Sequence, residues 1–334
     1  MQTQKKNSFA DSIRLFFTGF TMGAADIVPG LSGGTVAFLL GIYEELIYSI
    51  KLVSGEVLRL VLQGKIKEAF EKIPFRFLVP LGLGILTALL TLAKVISFLL
   101  HDYPAFLWSF FFGLVLASVF IIRKRVVTWD LHDYAAAAAT TIGTYFLVGA
   151  VPVETPNNPI ALFLSGAIAI CAMILPGISG SFLLVIMGKY EQVLNAVVQR
   201  DIFTIVIFGL GAVVGLATFS RVLSWLFKKH HDIVVAALTG FMIGSLRKVW
   251  PWKEVISTRI NSHGEVVPLL EKNILPASFD TSVMICLGLF VLGMVAIFLL
   301  DKMEVTQEQT ADVQDKSFTA EHKKALESQK SHQA

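Results

Sequence analysis

Ser32-Gly33-Gly34-Thr35 and Ser179-Gly180-Ser181 combine hydroxyls with backbone free of side chains, and each follows a Pro-Gly pair, Pro29-Gly30 or Pro176-Gly177. Such stretches suit an oxyanion. A helix starting there offers unpaired N–H groups and the positive end of its dipole, the hydroxyls add donors, and glycine lets a ligand approach the backbone. The competing reading is a tight turn between packed helices, and duplication weighs against it. Pro176 stands 147 residues after Pro29, and at that shift ten of the 26 positions from Gly19 to Glu44 are identical, against about two by chance. Among the identities are Gly41/Gly188, Tyr43/Tyr190 and Glu44/Glu191.

Five further ionisable residues sit where apolar sequence surrounds them. At a shift of 127, Gly82/Gly209, Gly84/Gly211, Thr91/Thr218, Val95/Val222, Ser97/Ser224 and Gly113/Gly240 coincide, which makes Lys94 and Arg221 equivalent. Each is about six residues from the end of its span, roughly 9 Å deep. A charge there has either a function and a partner, or snorkels to the headgroups. Glu44 and Glu191 could pair with these cations, take up protons when an anion leaves, or anchor a helix end at the interface. Asp26 faces Met173 in the repeat, so it is an asymmetric candidate for a first-turn contact or a proton site.

The elements that must position these groups are membrane helices. A chain of 334 residues with 54% hydrophobic residues, 16% charged residues and a mean hydropathy of +0.68 is too apolar for a soluble domain. Net charge is only +3 and basic residues gather at segment ends, which excludes a nucleic-acid surface. Cys171 and Cys286 lie within apolar runs and read as buried thiols, so no disulfide, metal or cofactor is implied. Lys5, Lys6 and Arg14 before an apolar run imitate a signal peptide, but cleavage near Ala24-Ala25 would strip the first motif of its helix, so the segment is read as retained.

Residues 12–28 and 35–50, and likewise 160–175 and 182–197, form apolar runs of about 16 residues, too short for a ~30 Å hydrocarbon core. They are expected to be half-helices meeting inside the membrane. Full spans are expected at 77–100, 105–122, 134–151, 203–227, 233–246 and 281–300. Basic residues in 51–76, at Arg123-Lys124-Arg125 and at Lys228-Lys229 then fall on the cytoplasmic side, with both termini. The polar stretch 247–280 falls outside despite its five cations. The expected fold is thus an all-α polytopic membrane protein of two inverted-topology repeats, 12–151 and 160–300. Each holds a Pro-Gly-broken, re-entrant-like half-helix pair plus three transmembrane helices. A polar N-terminus, 1–11, and a disordered tail, 301–334, flank them.

The run Gly23-Ala24-Ala25-Asp26-Ile27-Val28-Pro29-Gly30-Leu31-Ser32-Gly33-Gly34-Thr35, with Gly41-Ile42-Tyr43-Glu44 behind it and Leu175-Pro176-Gly177-Ile178-Ser179-Gly180-Ser181 as its echo, resembles the bacterial family known as domain of unknown function 368. Those proteins are regarded as polyprenyl-phosphate transporters. The resemblance covers about residues 12–300 and implies return of undecaprenyl phosphate from the outer to the cytoplasmic leaflet of the inner membrane for envelope polymer synthesis. Lys94 would then capture the headgroup outside, the two Ser-Gly turns would hold it, and Arg221 would receive it inside. Two rivals stay open on the residues alone. Undecaprenyl pyrophosphate phosphatases share inverted re-entrant repeats and a Pro-Gly-x-Ser motif, but theirs continues into Arg-Ser where this chain has Gly33-Gly34 and Gly180-Ser181. Without that arginine, binding without cleavage is favoured. A small-anion channel or exchanger could use the same helix ends.

Overall fold

Repetition in the sequence reappears as repetition of helix boundaries. The computed structural model describes residues 9–27, 32–150, 152, 155–260, 266–276, 278–299 and 302; Pro29, Gly30, residues 1–8 and nearly all of the tail lie outside them. The first half comprises α1 (Phe9–Ile27), α2 (Gly33–Leu39), α3 (Tyr43–Leu52), α4 (Leu58–Leu62), α5 (Ile66–Lys72), α6 (Phe75–Asp102), α7 (Pro104–Ile122) and α8 (Leu131–Leu147). The second comprises α9 (Pro159–Ile174), α10 (Gly180–Ile186), α11 (Tyr190–Gln199), α12 (Ile202–Lys229), α13 (His231–Ser245), a hairpin of β1 (Lys253–Ile260) and β2 (Val266–Asn273), and α14 (Thr281–Leu299). Helices α10 and α11 begin and end 147 residues after α2 and α3, and α12 lies 127 residues after α6.

Local chemistry sets these ends. Proline opens α7 and α9, where its missing N–H leaves no bond unmade. Asn158 caps Ala161 N–H, Asp201 caps Thr204 N–H, and Asp130 with Asp133 forms a capping box at α8. Among the described residues, α6, α7, α12 and α14 are long and apolar enough to cross a membrane, and the bent pair α10 and α11 makes a fifth if it forms one span. Helix α8, expected as a span over 134–151, covers seventeen residues, and its alanines and threonines lower its hydropathy below that group. The rows Leu83, Leu86, Leu90, Phe98 on α6 and Val206, Leu210, Val213, Trp225 on α12 face outward, as lipid-facing sides must.

Glycines permit the close crossings that hold the bundle. A Cβ on Gly84 of α6 would lie 2.0 Å from the Phe16 carbonyl oxygen of α1, and one on Gly211 of α12 would lie 2.0 Å from Phe163 of α9. The remaining long helices pair across the halves. Gly113 of α7 abuts the Phe290 carbonyl of α14, and its repeat partner Gly240 of α13 abuts the Ala137 carbonyl of α8. Helices α7 and α13 lie at the centre, and Val115, Ile122, Val235, Leu238 and Met242 bury there with Phe38, Tyr43 and Ile47.

Two expectations need correction. The runs 35–50 and 182–197 are not single half-helices: each breaks again, at Leu40–Ile42 and at Met187–Lys189, and α10 and α11 meet at 108°. Gly41 (φ 71°) and Gly188 (φ 64°) supply the left-handed backbone that the bend demands, which explains why both are glycine. The chain is also not wholly helical, because 247–280 contains the β1/β2 hairpin. Of the two thiols expected to be buried, Cys286 is, whereas Cys171 is only partly covered and donates to the Gly215 carbonyl at 3.6 Å.

Candidate functional site

The two helix breaks meet. Helix α9 ends at Ile174, and its last carbonyls have no partners within the helix. The first half provides them: Ser32 Oγ donates to Met173 O at 2.9 Å and Tyr43 Oη donates to Ile174 O at 3.1 Å. In the other direction, Gly177 N–H donates to Thr35 Oγ1 at 2.9 Å. Gly177 itself has φ 86°, the turn conformation that follows Pro176. Gly34 has to be glycine at this contact, since a Cβ there would stand 2.5 Å from the Ile174 oxygen.

The two Ser-Gly turns are chemically unequal in this conformation. At the start of α2, Gly34 N–H donates to Ser32 Oγ and Gly33 N–H donates to a carboxylate oxygen of Asp26. The chain's own carboxyl group therefore occupies the place where an oxyanion ligand was expected, and Ser32, Gly33, Gly34 and Thr35 are all buried. Met173 stands where a second carboxylate would be, and α10 begins without a side-chain cap. Ser179 and Ser181 bond to each other at 2.8 Å, with Ser181 exposed and Gly180 packed under the Ala169 carbonyl. The second turn is open where the first is filled.

The remaining candidates lie apart from this junction. Lys94 is exposed on α6. Arg221, also exposed, has a guanidinium nitrogen 3.2 Å from where a Gly55 Cβ would be, beside the π-helical turn that follows α3. Among the described residues no hydrogen bond joins either cation to the breaks. Glu44 is exposed and meets His231 Nε2 at 3.3 Å, while His231 Nδ1 meets Asp232 at 3.1 Å. Glu191 is half-buried on α11.

Three features were not read from the sequence. Lys189, fully buried at the second bend, donates to Asn157, and Thr155 Oγ1 donates to Met187 O, so the loop before α9 folds over that bend. Their signal was only a lysine where the first repeat has Ile42. An apolar cavity of about 200 Å³ lies behind Ser32 and Thr35, walled by Ala24, Phe111, Leu114 and Ile297. A groove of about 690 Å³ runs along α7 and α13, from Leu116 and Ile243 to Arg123, Lys124, Trp129 and Tyr134. No group of metal-ligating residues occurs among the described residues.

Residues 22–267 match a family described as VCA0040-like, undecaprenyl phosphate translocase-like. The chain is 45% identical over 266 residues to a polyprenyl-phosphate transporter of Vibrio cholerae, covering 80% of this chain and 86% of that one. It is 30% identical over 257 residues to a polyprenyl-phosphate transporter of Staphylococcus aureus, covering 70% of this chain and 84% of that protein. No solved structure matches it. With its broken helices and apolar spans, this chain belongs to the undecaprenyl phosphate translocase-like family of membrane transporters.

Proposed function

We propose that the protein carries undecaprenyl phosphate from the outer to the cytoplasmic leaflet of the bacterial inner membrane, without hydrolysing it. The observation that carries this reading is the junction of the two breaks, with one turn filled by Asp26 and the other open at Ser179 and Ser181. A broken helix leaves backbone polar groups that hydrocarbon cannot satisfy, so it persists only where protein or a wet cavity covers them. Here protein covers most of them, and the hydroxyls left over suit a phosphate. The polyprenyl chain stays among lipid-like surfaces such as the α7/α13 groove while the phosphate alone crosses polar ground.

The two halves are inverted repeats in this reading, with both termini cytoplasmic. Exchange of equivalent partners, α7 with α14 and α13 with α8, supports it. Phosphate reaching α2 would compete with Asp26 for the Gly33 N–H, so loading and carboxylate release are coupled. Glu44, next to His231, is the coupling group at the cytoplasmic end, with Glu191 as its counterpart. Lys94 and Arg221 serve the outer and inner leaflets respectively, as charges that draw the headgroup to the protein's edge.

Uptake of undecaprenyl phosphate from the outer to the inner leaflet of proteoliposomes tests the reading, with wild type beside Ser179→Ala/Ser181→Ala. Movement in wild type and its loss in folded double mutant support the junction as the site. A folded wild type that moves no lipid, or that passes inorganic anions instead, refutes it.

A further inference from the structure

Beside the second break, the hairpin covers a cavity of about 430 Å³ whose walls are the end of α8, Phe182 of α10, and Arg247 and Lys248 just after α13. We propose that this cavity binds a phosphate monoester headgroup, with Arg247, Lys248 and Lys253 as its cationic ligands and Glu271 as the counterion that the headgroup displaces. The proposal rests on the transporter reading and names the place where the lipid phosphate is first held.

Charge and geometry carry it. Lys248 Nζ and Lys253 Nζ approach the same oxygen, Oε2 of Glu271, at 3.3 and 3.2 Å. One carboxylate thus serves two ammonium groups, and the Lys253 side chain is only 7% exposed. Arg247 has no carboxylate partner among the described residues. It is held from behind instead: one guanidinium nitrogen donates to Tyr145 O at 2.9 Å and the guanidinium carbon lies 4.5 Å from the Tyr145 ring centroid. Gly149 makes that seat possible, because a Cβ there would fall 2.1 Å from the guanidinium carbon. Three cations against one carboxylate leave a surplus of two positive charges, and a phosphate monoester brings about −1.5 to −2. Lys272 adds a further cation to the wall.

The cavity also leads somewhere. Phe182, over whose ring Lys248 Nζ sits at 5.1 Å, directly follows Ser181 in the open turn. A headgroup released by the lysines is therefore one residue from the hydroxyls proposed to receive it. In the inverted-repeat topology this cavity faces outside, which assigns it to capture.

Lys253 lies 4.6 Å from the centroid of the Trp108 ring, so tryptophan fluorescence reports on the pocket. Purified full-length protein in nanodiscs of neutral lipid is titrated with undecaprenyl phosphate, with inorganic phosphate, and with phosphatidylglycerol. The expected result is saturable binding of undecaprenyl phosphate and of inorganic phosphate, weakened roughly ten- to hundredfold by Arg247→Gln/Lys253→Met, as loss of charge-assisted hydrogen bonds requires. Glu271→Gln, which removes the competing carboxylate, is expected to tighten binding several-fold, a gain that misfolding cannot imitate. Unchanged affinity in both variants overturns the proposal, as does an equal response to phosphatidylglycerol. Response to inorganic phosphate alone assigns the pocket to free phosphate and overturns the lipid-capture role. The transport assay separates the two readings. Ser179→Ala/Ser181→Ala is expected to bind and not transport. Arg247→Gln/Lys253→Met that transports and binds like wild type sinks this site while leaving the transporter intact.

Discussion

The Gly177 amide donates to the Thr35 hydroxyl at 2.9 Å, and this bond ties together two helix breaks 142 residues apart in the chain. Thr35 is 1% exposed, so neither group has water as an alternative. Thr35→Val keeps the shape and removes the acceptor, leaving a buried N–H unpaired at a cost of about 1–3 kcal/mol. Thermal unfolding in detergent is expected to show the lower midpoint, with Thr35→Ser close to wild type. Equal midpoints for Val and Ser would mean that the bond does not hold the breaks together.

Asp26 and Gly33 form the second dependent pair. A Cβ on Gly33 would sit 2.6 Å from Asp26 Oδ2, so Gly33→Ala has to expel the carboxylate from the start of α2. Asp26→Ala removes the same bond without a clash. Both are expected to destabilise the protein, the alanine at Asp26 by about 1.5–3 kcal/mol as for a charged hydrogen bond. A double mutant no less stable than Gly33→Ala alone would show that the two act through one interaction. Additive losses would contradict it.

The glycines of α6 and α12 separate into two kinds. Gly84 and Gly211 lie under carbonyls of α1 and α9, whereas Gly82 and Gly209 have nothing within 4 Å of an added Cβ. Gly84→Ala and Gly211→Ala are expected to cost about 1–3 kcal/mol by forcing helices apart. Gly82→Ala and Gly209→Ala should leave stability unchanged or raise it slightly, since alanine favours the helix. Folded yield from size-exclusion profiles of the four variants distinguishes the two pairs. An equal drop in all four would indicate backbone flexibility as the common cause.

Lys253 makes the hairpin pocket sensitive to pH. Burial first, and the Lys248 charge second, pull its pKa from 10.5 down to about 8, against the upward pull of Glu271. For Glu271 burial would raise the pKa, but the two lysines outweigh it and hold the carboxyl below its ordinary value. Between about 8 and 10.5 the unfolded chain binds a proton that the folded chain has released, so this group's contribution to stability rises with pH across that window. Phosphate affinity runs the other way, because the anion needs Lys253 charged. Binding of undecaprenyl phosphate is expected to weaken as pH rises through about 8, with Arg247, Lys248, Lys272 and Tyr145 as the other groups facing the ligand. Lys253→Arg should move the decline to higher pH. An affinity flat from pH 7 to 9 in wild type would exclude Lys253 as a ligand.

Much of this architecture was legible in the chain itself. Repeated Pro-Gly-x-Ser-Gly motifs, apolar run lengths and the shifts of 147 and 127 identified the breaks and the long helices. Helix ends then fell at those shifts, because proline, glycine and capping residues act within a turn of where they stand. The second bends at Gly41 and Gly188 were present as identities but carried no visible meaning, since φ is a property of the folded backbone. Chemistry that depends on distant residues was not legible. Asp26 was open between a first-turn contact and a proton site until the fold of α1 onto α2 set it on the Gly33 N–H, and Ser32 looked like a ligand-binding hydroxyl until its Oγ was found donating to Met173 O. Arg247, Lys248, Lys253 and Lys272 read as an inconvenience for topology, because a strand pairing that brings Lys253 opposite Asn273 and near Glu271 has no local signature. Composition, periodicity and repetition act locally along the chain and so determine where helices start, break and cross lipid. Which polar groups satisfy one another depends on how the elements pack, over separations that run from seven residues for Asp26 and Gly33 to 142 for Thr35 and Gly177, and only tertiary structure decides those.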